Sequence, residues 1–174
     1  MPPWIEKVVQ RLEPQHDWDD LREPGEVLER IRARLIAERG AALKGRSAAS
    51  DVTVLFSGRE ATPKLIAAEA LAASVESDVY RIDLAMIVSD DLPETERIMK
   101  RILDAAELAG GVLFFDEGDF LLRPTEDDPY PERGGSYLLK RMSKFAGLSI
   151  LSVSERRLVD PALARRFRFT VSFE

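Results

Sequence analysis

Two stretches of this chain combine residue types suited to phosphate and metal chemistry. The first is Val112-Leu113-Phe114-Phe115-Asp116-Glu117, an apolar run ending in two adjacent carboxylates. A buried strand of this kind delivers both acids into a crevice. Asp116 is then placed to hold the water shell of a magnesium ion, and Glu117 to polarise an attacking water. The second stretch is Val54 to Leu65, where an apolar strand runs into Gly58 and Lys64 follows at the head of a helix. That is the spacing of a phosphate-binding loop. Two residues depart from it. Pro63 stands where the motif takes glycine, has no N–H to offer a phosphate, and biases Thr62 away from helical backbone. Leu65 stands where Ser or Thr would ligate magnesium, and it carries no oxygen.

Other chemistries are bounded by what the chain contains. It has no cysteine, which excludes disulfides, thiolate nucleophiles and Cys-based metal sites. The single histidine, His16, lies in a polar segment without its usual catalytic partners and reads as a surface residue. A net charge of -6 argues against a nucleic-acid groove, although Arg156-Arg157 and Arg165-Arg166-Phe167-Arg168 are local basic clusters. No apolar run reaches the roughly 20 residues of a membrane helix. The N-terminus lacks a signal-peptide layout, so a cytoplasmic location is expected.

The elements that must position these residues follow from periodicity. Residues 3–13 and 24–44 read as helices, the second with Val27, Leu28, Ile31, Leu35 and Ile36 at helical spacing. Residues 45–50 form a small polar linker. Strand and helix then alternate. Strands are expected at 52–57, 79–84, 111–116, 148–154 and 168–173, and helices at 64–74, 93–109, 136–145 and 161–166. Short apolar strands separated by helices imply a three-layer α/β fold, a parallel sheet covered on both faces. Ligands on such sheets sit at the carboxyl ends of the strands, where both motifs fall. The segment from Arg123 to Gly135, rich in Pro and acid, reads as a mobile surface loop.

With these motifs in place, the chain resembles the AAA+ ATPase family over nearly its whole length, in particular the classical group and the single-core ATPases found beside contractile injection systems. The family's loop Gly-Pro-Pro-Gly-Thr-Gly-Lys-Thr aligns with Gly58 to Leu65, so that Ala61 replaces a second glycine, and its Walker B pair matches Asp116 and Glu117. Tyr80-Arg81-Ile82-Asp83-Leu84 is similar to its second strand. Asp160-Pro161-Ala162-Leu163-Ala164-Arg165-Arg166-Phe167 is similar to its arginine-finger helix, and Trp18-Asp19-Asp20-Leu21 to the segment that passes near the adenine. The resemblance implies a P-loop NTPase-like fold with a five-stranded parallel sheet in the order 5-1-4-3-2. It implies ATP with Mg2+ as cofactor, bound through Gly58, Thr62, Lys64, Asp116 and Ser154, with Asp116 holding the metal through water. It also implies Glu117, Arg165 and Arg166 as catalytic groups. Ser154 stands at the family's sensor asparagine, with less reach. Asp91 stands where relatives place a pore-loop aromatic, and Pro93 where they place a glycine.

The expected organisation is an N-terminal helical segment and linker at 1–50, followed by an AAA+-like core at 51–174 without the family's helical lid. The expected function is that of an AAA+-like domain with a degenerate P-loop and weak or absent hydrolysis. Such a domain would act as a scaffold or regulatory subunit on protein partners, its own copies or an active AAA+ subunit, and not on nucleic acid or membrane. The alternative is an active AAA+ ATPase with a non-standard loop.

Overall fold

Apolar runs bounded by glycine and polar residues account for the middle of the sheet. In the computed structural model, which describes residues 5–43, 51–87, 92–109, 111–119, 132–145, 147–159 and 161–173, three such runs form β2 (Asp51–Ser57), β4 (Val112–Asp116) and β5 (Gly147–Val153). They are flanked by β3 (Val79–Asp83) and β6 (Phe169–Ser172), with β1 (Val9–Leu12) at the far edge. The sheet order is β1-β3-β4-β5-β2-β6. All neighbours are parallel except β1, which runs antiparallel to β3 with Val9 opposite Ile82.

The expectation of a five-stranded parallel sheet is therefore corrected to six strands with one antiparallel edge. Residues 3–13 were expected to be a helix. Instead a single helical turn, α1 (Ile5–Val8), leads directly into β1. The cause is tertiary. The outer edge of β3 would otherwise present unpaired N–H and C=O groups, and the N-terminal segment covers them. Arg11 fastens the pairing through Asp78, its Nε donating at 2.7 Å.

Helices cover both faces. On one lie α2 (Gly25–Leu43) and α3 (Ala61–Ser74), and on the other α4 (Leu92–Ala109) and α5 (Glu132–Lys144), with the short α6 (Pro161–Ala164) beside α5. Strand alternation divides the core accordingly. Val52, Val54, Phe56, Val112 and Phe114 pack with α2 and α3, whereas Leu55, Leu113 and Phe115 pack with α4 and α5. Buried Ala67, Ala68 and Ala72 let α3 lie close on the strands. Phe56, Phe114 and Phe115 are almost fully buried, each contributing about 1.5–3 kcal/mol on transfer from water.

Helix α3 begins three residues earlier than expected and α5 four residues earlier, so Glu132–Gly135 are helical and not loop. The expected mobile stretch 123–131 and the pore-loop-like positions 88–91 lie outside the described residues. No helix among the described residues is long and apolar enough to cross a membrane.

Candidate functional site

Parallel pairing brings the strand ends to one rim. Ser57 lies opposite Val153 and Ser172, and Asp83 opposite Asp116. Gly58, Glu117, Ser154 and Phe173 therefore leave the sheet side by side.

The turn after β2 is short. Only Gly58, Arg59 and Glu60 separate the strand from α3. Gly58 is buried with φ +154°, and a Cβ there would stand 3.1 Å from the Cβ of Phe173, so only glycine fits without displacement. Its N–H donates to the Val153 carbonyl at 3.1 Å, and Phe173 N–H donates to Ser57 O at 2.8 Å. Glu60 occupies the N-cap of α3 but makes no side-chain cap. Exposed Thr62 and half-buried Pro63 fill the first turn. Lys64 then turns inward. It is only 4% exposed, and its ammonium donates to the Val153 carbonyl at 3.0 Å. Burial lowers its pKa below the ordinary lysine value, opposed by the nearby carboxylates of Asp116, Asp119 and Glu117. Leu65 packs against the cluster formed by α2 and α3.

The end of β4 is tied as closely. Asp116 is buried, and one carboxylate oxygen accepts from Arg81 Nε at 2.9 Å and also from its Nη2. Its other oxygen accepts Glu117 N–H at 2.9 Å. Glu117 is exposed and holds the left-handed backbone conformation, φ 60°. Gly118 N–H donates to Ser152 O at 2.9 Å, and a Cβ at Gly118 would fall 2.7 Å from that same oxygen. Buried Asp119 accepts both the backbone N–H of Ser154, at 3.1 Å, and its hydroxyl.

The structure thus gathers Gly58, Lys64, Asp116, Glu117 and Ser154 on one rim, with Thr62 on its outer side. Arg165 and Arg166 are exposed on the turn after α6. Two residues that sequence reading missed complete the cluster. Arg81 and Asp119 each bond across 35 residues, to Asp116 and Ser154. The only signal for Asp119 was its place in the Asp116–Asp119 turn, and for Arg81 its charge within an apolar strand. His16 is also more than a surface residue. Its Nδ1 lies 2.9 Å from buried Glu69 of α3, and Gln15 N–H donates to the same carboxylate at 3.2 Å. Among the described residues no group of three or more His, Asp or Glu side chains is placed to hold a metal ion.

Comparison with known proteins agrees with this geometry. The profile of the ATPase family associated with various cellular activities (AAA) matches residues 54–174. A curated relative, the uncharacterized AAA family ATPase y4kL of Sinorhizobium fredii (strain NBRC 101917 / NGR234), is 30% identical over 180 residues. That match covers 95% of this chain and 52% of that protein, so the chain spans about half the relative's length. The crystal structure of the FIGL-1 AAA domain is similar in fold, with a TM-score of 0.70 at 18% identity, covering 99% of this chain and 61% of that one. A β-strand, short turn and buried lysine at one strand end, an Asp-Glu pair at another, and a family match across both place this chain in the AAA ATPase family.

Proposed function

We propose that this AAA-family domain works as a non-hydrolysing scaffold or regulatory subunit through protein–protein contacts. The observation that carries the reading is the state of Lys64. Its ammonium is buried and bonded to the Val153 carbonyl, where a phosphate-binding lysine would reach outward to a γ- or β-phosphate. The surrounding donor set points the same way. The helix starts so soon after Gly58 that Ala61–Pro63 lie in its first turn, and Pro63 has no N–H to offer. Leu65 supplies no oxygen and faces the core. Asp116 is held by Arg81, and the Ser154 hydroxyl by Asp119. These residues fit magnesium and a triphosphate poorly. What they do instead is lock the ends of β2, β4 and β5 to one another. Exposed Arg165 and Arg166, on the turn after α6, give a partner subunit a basic surface to meet.

Equilibrium binding of labelled ATP, with and without magnesium, tests the reading. The expected result is no magnesium-dependent binding up to about 1 mM, an affinity of only about −4 kcal/mol. Micromolar binding that collapses in Lys64→Ala overturns it, as does phosphate release that disappears in Glu117→Gln. Changing Ala61→Gly, Pro63→Gly and Leu65→Thr together is expected to restore nucleotide affinity. The alternative of an active ATPase rests on the proximity of Lys64 to Asp116, Asp119 and Glu117, whose charges act on its ammonium.

A further inference from the structure

Helix α2 turns Leu28, Ile31 and Leu35 into the core. Ile36 follows at the same spacing, yet it is 44% exposed, one of two large apolar side chains in the open among the described residues. It helps to line a hollow of about 460 Å³, together with Trp18, Glu29, Arg32, Ala33 and Ala37. Residues 29, 33, 36 and 37 form one stripe of the helix, since positions three and four apart are neighbours on its surface. Ala33 and Ala37 are exposed and short, so the space between Ile36 and Trp18 stays open.

The chain itself holds the walls of this hollow in place. The turn carrying Trp18 is capped by Asp17, whose carboxylate accepts Asp19 N–H at 3.0 Å. The Arg32 guanidinium lies 4.8 Å from the Trp18 ring centre, and its Nε donates to Ser74 Oγ of α3 at 3.1 Å. The surroundings are acidic. Asp17, Asp19, Asp20, Glu23, Glu26 and Glu29 are all exposed. Only Arg22 and Arg30 oppose them in the same stretch of sequence, and Arg30 is paired with Glu26.

We propose that this hollow docks a basic amphipathic helix of a different protein. That helix seats an apolar side chain among Trp18, Ala33, Ile36 and Ala37, and sets lysines or arginines against the carboxylates of residues 17–29. The inference deepens the scaffold reading and rests on it for the partner being a protein. An amphipathic helix laid with its apolar face in a groove is a recurring mode of peptide recognition. Short side chains at the contact let two helices approach closely, and walls already fixed lose little freedom on binding. Charge complementarity selects the partner. The local surplus of carboxylates, within a chain of net charge -6, attracts a basic segment and disfavours an acidic one. Such attraction is screened by salt, with a Debye length of about 10 Å at 0.1 M and about 3 Å at 1 M.

Fluorescence anisotropy of a labelled helical peptide of leucine and lysine, titrated with the 174-residue chain, tests the proposal. The expected result is a Kd on the order of 1–100 µM at low salt, weakening as salt rises. The same peptide with glutamate for lysine, or with serine for leucine, is expected not to bind. Ala33→Arg, which fills the hollow, and Ile36→Ser are each expected to weaken binding roughly tenfold, as is Asp19→Lys with Glu23→Lys. All four positions are exposed, so circular dichroism and urea midpoints are expected to stay unchanged. Ile36→Ser only shortens an exposed side chain, and it reads the hollow even if Ala33→Arg disturbs the helix. No binding by the wild-type chain overturns the proposal. So does equal binding of the serine-for-leucine peptide, which marks a contact of charge alone, or full affinity in the hollow variants. Failure here leaves the labelled-ATP titration untouched. Micromolar ATP binding would overturn the scaffold reading without moving the affinity for the peptide.

Discussion

Lys64 sits between a backbone carbonyl and three carboxylates, and its environment has a measurable consequence. Burial lowers its pKa from the ordinary 10.5. Between that lowered value and 10.5 the unfolded chain binds more protons than the native one, so Lys64 makes stability rise with pH across that window. In Lys64→Met this rise is gone. Urea unfolding of both proteins at several alkaline pH values is expected to show wild type gaining on the variant as pH approaches 10.5; a constant difference would mean that the ammonium is not buried. Glu117 supplies a second test. A non-glycine residue in the left-handed region costs on the order of 1–2 kcal/mol, and strain of this kind persists where function holds it. Glu117→Gly is expected to raise unfolding free energy by about 0.5–1 kcal/mol. A loss of stability would show that the Glu117 side chain contributes more to the fold than its backbone costs.

At the scale of elements, the N-terminal segment departs furthest from expectation. Ile5, Val8, Val9 and Leu12 recur at helical spacing, which is why they read as a helix. In the structure Val9 packs with α4 and α5 while Leu12 packs on the opposite face, as strand residues an odd number apart do. No local pattern reveals that β3 needs a partner on its outer edge. Ile5 is 2% exposed. Ile5→Ala is expected to cost about 2–5 kcal/mol by chemical denaturation, whereas a frayed terminus would show almost no loss. By contrast β2, β4 and β5 were legible, because runs such as Val112–Phe115 are apolar at every position and lie between two covered faces. The candidate site was legible only where its residues are close in sequence. Gly58, Lys64, Asp116 and Glu117 stood out. Arg81 with Asp116 and Asp119 with Ser154 did not, since pairing across 35 residues is set by strand register rather than by local sequence.

For the molecule as a whole, the proposed role predicts how it responds to nucleotide. A ligand at a hundred times its Kd stabilises a protein by about 2.7 kcal/mol. Millimolar Mg-ATP is expected to leave Tm unchanged for this chain and to raise it for the Ala61→Gly, Pro63→Gly, Leu65→Thr variant, as read by differential scanning calorimetry. The antiparallel β1 also sets the order of events when the chain is made. Arg11 and its partner Asp78 are 67 residues apart, an interval that takes roughly 3–13 s at translation speeds of about 5–20 residues per second. During that time β1 lacks its partner β3, and Ile5 and Val9 lack the core that buries them. β1 is thus made well before it can dock, and on the ribosome its apolar residues are open to a chaperone until β3 emerges.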